Sequence, residues 1–149
     1  AAMAGAFGIA CATDFLVTMS DAKYALTETK IGLTPAQIAP YVIKRLGFSN
    51  AKRLMLMGTL FNGKKAFEMG MADYVADNEI EFSEQINSIK NQVNKCAPTA
   101  IGVTKKILNS HYNIDAEEAA LIFSNCVIHK EGLEGLASFF EKRKPYWNK

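Results

Sequence analysis

The sequence predicts an α/β (α+β) chain that is mostly helical with a few short strands. Two features predict it. Short stretches rich in β-forming residues lie near the start, Asp14 to Met19 and Tyr24 to Leu26. Beyond Gln37, apolar residues recur at helical spacing between glycine and proline stops.

Residues 3–12 are small and apolar, Met-Ala-Gly-Ala-Phe-Gly-Ile-Ala-Cys-Ala. They predict a tight turn near Gly5 and a short buried helix, because small side chains allow close packing and glycine lets a backbone approach a neighbour or ligand. Ser20 to Lys23 is a turn between the two extended pieces. Thr27 to Pro35 is a loop punctuated by Gly32 and Pro35. A helix over Gln37 to Leu46 closes at Gly47, and another runs from an Asn50 cap to Met57, stopped by Gly58. Lys64 to Met69 is helical and ends at Gly70; Asp73 to Val75 is a brief strand. Ile86, Ile89 and Val93 share one helix face. Ala97-Pro98 breaks that helix before Thr99 to Asn109, Asp115 to His129 and Gly132 to Arg143, the last stopped ahead of Pro145. No internal repeat or low-complexity linker occurs. Two short strands followed by helices do not make a sheet, so the strands are expected to need partners that this chain does not supply. The opening Ala1-Ala2-Met3 has neither an initiator Met nor the basic region of a signal peptide, so the chain reads as part of a longer protein.

The bulk numbers exclude some classes. The chain has 149 residues, 49% of them apolar and 21% charged, with a net charge of +2. That is enough for one core, and the balance favours neither nucleic acid nor an acidic membrane surface as partner. The longest apolar stretch, Ile9 to Met19, is interrupted by Thr13 and Asp14 and falls short of the roughly 20 residues a membrane span needs. Cys11, Cys96 and Cys126 are odd in number and widely spaced, which fits a reduced, cytoplasmic-type compartment. Cys11 has no base beside it in sequence and is not expected to act as a nucleophile. His111 and His129 are isolated and read as structural or surface residues, so no metal site is expected. The Met residues at 55, 57, 69 and 71 read as core rather than cofactor contacts.

Three segments together resemble the crotonase (enoyl-CoA hydratase/isomerase) superfamily. Ala2 to Asp14 is similar to the family's glycine-rich turn and helix, which ends in an acidic residue before a strand. Leu26-Thr27-Glu28-Thr29-Lys30-Ile31-Gly32-Leu33-Thr34-Pro35 is similar to the loop in which a glutamate precedes a glycine by four. Glu134-Gly135 through Phe139-Phe140-Glu141-Lys142-Arg143-Lys144-Pro145 resembles the closing helix. Met57-Gly58 to Ala66, Gly70-Met71-Ala72 and Ala97-Pro98-Thr99-Ala100 match weaker features. The likeness runs along nearly the whole chain. It implies the C-terminal part of a crotonase-like β-spiral fold, with core residues 1–77 and a helical trimerisation region over 78–149.

The resemblance also implies a site. An acyl-CoA thioester becomes enolate-like when a proton or water is added or removed beside its carbonyl, and fixed N–H donors at a helix N-terminus stabilise that charge. Gly5 falls where the family places one of two such donors; the other would lie outside this chain. Ala6 replaces a glycine common in the family. Glu28 falls at the general acid/base position, and a carboxyl near an apolar acyl pocket suits proton transfer. Gly8 falls where many hydratases carry a second glutamate, which leaves members that work with one. Thr34 to Tyr41 looks like hydratases of branched or substituted enoyl-CoAs. Gly5 and Gly8 would line the substrate. Phe139 and Lys142 match residues near the CoA adenine end; a core phenylalanine and a solvated lysine are the other reading of this pair. The implied activity is an enoyl-CoA hydratase (lyase) using Glu28. The alternatives are an enoyl-CoA isomerase and a non-catalytic CoA-binding member. The implied partner is an acyl-CoA in a homotrimer or dimer of trimers, with no metal or redox cofactor and CoA as part of the substrate. The piece alone is expected to be inactive.

Overall fold

The small apolar segment at the start of the chain folds around one buried ring, that of Phe7. The computed structural model describes residues 1–110 and 114–148, so His111 lies outside the described residues. Two units, Ala1–Asn87 and Ser88–Lys149, each gather most of their contacts internally.

In chain order the first unit contains β1 (Ala2–Met3), α1 (Gly5–Ala12), β2 (Val17–Met19), β3 (Lys23–Ala25), a 3₁₀ turn (Glu28–Ile31) and α2 (Ala39–Met57). It continues with β4 (Phe61–Asn62), α3 (Gly63–Glu68), β5 (Tyr74–Ala76) and α4 (Glu79–Val93), and the division from the second unit falls within α4. β3 is central in one small sheet, parallel to β1 and antiparallel to β4, with Met3 opposite Ala25 and Tyr24 opposite Phe61. β2 and β5 pair in parallel, Val17 opposite Tyr74. The expectation that the strands lack partners in this chain is therefore corrected. β1, β4 and β5 supply them, and the first two are only two residues long, too short to leave an alternating pattern.

Phe7, Leu26, Val42 and Met71 are completely buried. The Phe7 ring meets Tyr24 and Phe61 edge-on, at centroid distances of 6.3 and 5.9 Å, while Tyr24 and Phe61 stack at 5.7 Å. Such pairs contribute about 0.5–1.5 kcal/mol each beyond the area they bury. Tyr24 Oη and Thr18 Oγ1 lie 2.7 Å apart, joining the two sheets through a buried hydrogen bond. Arg45 donates from Nε to Met71 O at 2.8 Å and from Nη2 to Asp73 Oδ2 at 2.8 Å, and Asp73 also accepts from Leu16 N–H at 2.7 Å. One ion pair thus ties α2 to the ends of β2 and β5.

The two helices predicted around Gly47 are present within the run Ala39–Met57, parted where Gly47 takes the non-helical φ 71° and ψ 163°. Asn50 does not cap; its Nδ2 donates back to Leu46 O at 3.2 Å across the kink. Of the methionines, Met71 is core and Met55 and Met69 pack against it, whereas Met57 is 66% exposed.

The second unit holds α5 (Pro98–Asn109), α6 (Ala116–Ile128) and α7 (Lys130–Phe140). Buried Glu131 caps α5, accepting from Thr99 N–H at 2.8 Å and Thr99 Oγ1 at 2.9 Å. His129 is the N-cap of α7, its Nδ1 accepting from Glu131 N–H at 3.3 Å. α7 ends three residues earlier than predicted. Lys142 turns into the left-handed region (φ 54°), and Arg143 N–H bonds Ser138 O at 3.0 Å while Lys142 N–H bonds Phe139 O at 3.2 Å. This is the Schellman pattern with lysine where glycine is usual. Beyond it Arg143 grips Glu134 through two parallel hydrogen bonds of 2.6 and 2.8 Å, which hold the Glu134 carboxyl below the usual carboxylate range. Among the described residues no helix is long and apolar enough to cross a membrane.

α7 folds back closely on α6. A Cβ on Gly132 would overlap Cys126 O and lie 2.8 Å from Val127 O, both rigid backbone atoms. Gly132→Ala is expected to lower stability by about 2 kcal/mol or more, read as a reduced urea midpoint. An unchanged midpoint would mean the two helices do not approach this closely.

Candidate active site

The parallel pairing of β1 and β3 decides where the site forms. Both strands run the same way, so the residues that follow them leave the sheet at the same edge. β1 leads into α1 two residues after Met3; β3 leads into the 3₁₀ turn three residues after Ala25. Gly5 and Glu28, the two residues picked out for catalysis, are thus delivered to one edge by neighbouring strands.

The turn before α1 is tight, as predicted, but its unusual torsion falls on Ala4 and not on Gly5. Ala4 has φ 48° and ψ −122°, a region disfavoured for any residue with a Cβ and costing on the order of 1–3 kcal/mol. Ala4 N–H holds the turn to β3 through Ala25 O at 3.1 Å. Its own carbonyl accepts from Phe7 N–H at 2.9 Å and Gly8 N–H at 3.3 Å. The N–H groups of Gly5 and Ala6 remain at the head of the helix, where no intrahelical acceptor exists. Gly5 is the first residue of α1, and a Cβ there would meet nothing within 4 Å. Its N–H lies at the positive end of an eight-residue helix, among the donors that have no intrahelical acceptor.

Glu28 opens the 3₁₀ turn two residues after the fully buried Leu26. The turn is pinned by Lys30 N–H to Thr27 O at 3.0 Å, Leu33 N–H to Glu28 O at 3.0 Å and Thr29 Oγ1 to Met55 O at 3.1 Å. Glu28 Oε2 is buried, yet no described residue gives it a hydrogen bond. An unpartnered buried polar atom of this kind costs about 1–3 kcal/mol and calls for an explanation. Elsewhere in the unit, burial pushes the Cys11 thiol up to about 11, against a smaller opposing pull from Arg45, so it stays protonated and unreactive near neutral pH.

Gly8 lies one helical turn from Gly5, on the same face of α1. It is buried beneath Ile38, and a Cβ at residue 8 would stand 2.5 Å from the Cβ of Ile38. Sequence reasoning singled out Gly8 for the side chain it lacks and missed the residue that lies over it. Phe139 and Lys142 sit in the second unit, at the end of α7. Phe139 is 76% exposed, against Phe140 at a centroid distance of 5.7 Å, which excludes the core reading of this ring within the chain. Lys142 is exposed in the left-handed turn described above.

Comparison with known proteins bears on the fold that carries these residues. A family model described as enoyl-CoA hydratase/isomerase matches residues 1–149. Among solved structures, AtuE of Pseudomonas aeruginosa superposes with a TM-score of 0.94 at 34% identity, over 99% of this chain and 58% of that one. An enoyl-CoA hydratase/isomerase from Marinobacter aquaeolei gives 0.92 at 35% identity, over 99% and 57% respectively. A crotonyl-CoA hydratase of Syntrophomonas wolfei is 28% identical over 148 residues, which are 96% of this chain and 56% of that protein. The chain thus spans a little over half the length of the relatives it matches, and over that span it has their fold.

Two outcomes are expected. Glu28→Gln should leave the thermal midpoint unchanged or raise it, because the buried oxygen of Glu28 makes no hydrogen bond to lose; a drop of several degrees would make Glu28 a structural residue. Gly5→Pro removes only an N–H, at a helix position that suits proline, whereas Gly5→Ala keeps the N–H and places its methyl in open space. Where the Gly5 N–H is the donor that the resemblance implies, the intact protein carrying proline, shown folded by circular dichroism, should lose about 100–1,000-fold in turnover and the alanine variant little.

Proposed function

We propose a function from one premise: the chain belongs to the enoyl-CoA hydratase/isomerase family. The intact protein is an enoyl-CoA hydratase that adds water across the 2,3 double bond of an acyl-CoA thioester, or removes it, with Glu28 as the one catalytic carboxylate. The observation that carries this reading is the buried, unpartnered Oε2 of Glu28, at the same sheet edge as the Gly5 N–H. A carboxylate oxygen kept dry and without a donor is free to take a proton from substrate or water.

The chemistry closes with one acid/base group. Glu28 takes a proton from water as the hydroxyl bonds to C3, and the electron pair of the double bond moves onto the thioester carbonyl. The Gly5 N–H holds the resulting enolate oxygen, together with a second donor from outside this chain. Glu28 then returns the proton to C2. Removal of water runs the same steps backwards. This sequence calls for no metal or redox group, and CoA enters as part of the substrate. Phe139 and Lys142 are assigned to the adenine end of CoA, Lys142 as a point charge toward phosphate. The many exposed apolar residues of the second unit, Leu121, Phe123, Ile128 and Leu133 among them, support a homotrimer or dimer of trimers. Three free cysteines fit a cytoplasmic setting.

One observation keeps an isomerase in view. With glycine at residue 8, the site has a single carboxylate, and moving one proton between C2 and C4 needs no more. The intact protein, beside its Glu28→Gln variant, is assayed with crotonyl-CoA and with a 3-enoyl-CoA by the absorbance of the conjugated thioester. Loss of conjugation from crotonyl-CoA, falling about 100–10,000-fold in the variant, is the expected result. A gain from the 3-enoyl substrate alone would replace hydratase by isomerase. No change with either, alongside retained CoA binding, would make the protein a non-catalytic CoA-binding member.

A further inference from the structure

Ile38 has no part in the chemistry above, yet it occupies the face of α1 that the chemistry uses. Along that face the space over Gly5 is open, and one turn further on Gly8 is covered. What covers it is the Ile38 side chain, whose Cβ and Cδ1 stand 2.5 and 3.5 Å from a Cβ position at residue 8, with Cγ2 in overlap with it. Ile38 is only half-buried, so part of its side chain remains available to a ligand.

The position is built with care. Ile38 is the last residue before α2, fixed by its N–H to Pro35 O at 3.1 Å and by its carbonyl, which accepts from Tyr41 and Val42 N–H at 3.1 Å each. The same connector, running from the 3₁₀ turn through Pro35, begins with Glu28. One segment therefore presents a carboxylate at one end and a branched apolar side chain at the other, and the second lies against α1 one helical turn from Gly5. Even the Cβ of residue 38 leaves no room for a side chain at residue 8, so the pairing of a bare Gly8 with Ile38 is mutual.

We propose that Ile38 is a specificity-determining residue: admitted by the bare backbone of Gly8, its side chain forms an apolar wall of the acyl site one helical turn from the Gly5 N–H. The wall is where an acyl chain meets an aliphatic surface whose bulk sets how much branching near the reacting carbons fits. This deepens the proposed function and rests on it.

The test uses the intact protein and its Ile38→Ala and Ile38→Val variants, the second being the conservative change that keeps the fold if the first disturbs it. The substrates are crotonyl-CoA and a 2-enoyl-CoA carrying an extra alkyl branch at C3. Removing side-chain carbons from the wall should shift the ratio of kcat/KM toward the branched substrate by on the order of tenfold in Ile38→Ala. The shift should be smaller in Ile38→Val, be carried mainly by KM, and leave the dissociation constant of free CoA unchanged. Equal losses on both substrates, or an unmoved ratio, would overturn the proposal and leave Ile38 a packing residue. If the wild type turns over neither substrate, the hydratase reading has failed in the unmutated protein. The dissociation constants of the two acyl-CoAs, read by calorimetry, then decide the wall separately: the same shift in their ratio supports it and an unmoved ratio overturns it.

Discussion

Helix α1 is held by close packing at two consecutive residues, and much of the first unit takes part in holding it. Phe7 anchors it on the aromatic pair of Tyr24 and Phe61, completely buried and edge-on to both rings. On the next residue the backbone is bare, and Ile38 rests directly on it. A helix fixed at these two consecutive residues cannot rotate without breaking the aromatic contact or colliding with α2. The direction of its first N–H groups is therefore set by core packing together with the turn that precedes it. Preorganised donors contribute to catalysis because they need not reorient when charge develops.

The strained Ala4 makes sense on the same terms. A residue with a Cβ adopts φ 48° only where its surroundings over-determine it. Here β1 pairing fixes the chain before it, the Ala4 N–H bond to Ala25 O fixes the residue itself, and Phe7 fixes the helix after it. The strain is spread over a strand, a helix and a buried ring. Glu28 adds a second local penalty, its unpartnered oxygen, at the same edge of the same sheet. Two unfavourable features beside each other, each supported by an otherwise well-packed unit, are the pattern expected where stability has been traded for reactivity.

Different parts of this arrangement were readable in the sequence to different degrees, for physical reasons. The small-residue run from Met3 to Ala12 and the glutamate four residues ahead of Gly32 are local patterns; they marked α1 directly and the segment of the 3₁₀ turn only as a loop. Helix positions from α2 onward followed from apolar spacing with errors of a few residues, as at α7, where a lysine takes the left-handed torsion that glycine usually signals. The pairing of β1 with β3 left no such trace. Two residues, Ala2 and Met3, carry no periodicity, so the sheet edge that brings Gly5 and Glu28 together is a tertiary fact. Ala4 was silent because alanine gives no hint of a positive φ. Ile38 was silent because its importance depends on a glycine thirty positions earlier, joined to it only by the fold.

That last pair changes what the glycine at residue 8 means. Read alone, Gly8 is a missing carboxylate, and a missing group suggests loss. In the folded chain it is half of a contact whose other half is a positioned isoleucine, and nothing is vacant there. Restoring a carboxylate at residue 8 would set its Cβ 2.5 Å from the Cβ of Ile38, so α1 or α2 would have to move, and moving α1 would turn the Gly5 N–H with it. On the proposed function, the single-carboxylate chemistry and the apolar wall follow from one structural choice. A chain that packs Ile38 this tightly onto Gly8 holds α1 in place and in the same step gives up the room where a side chain at residue 8 could stand.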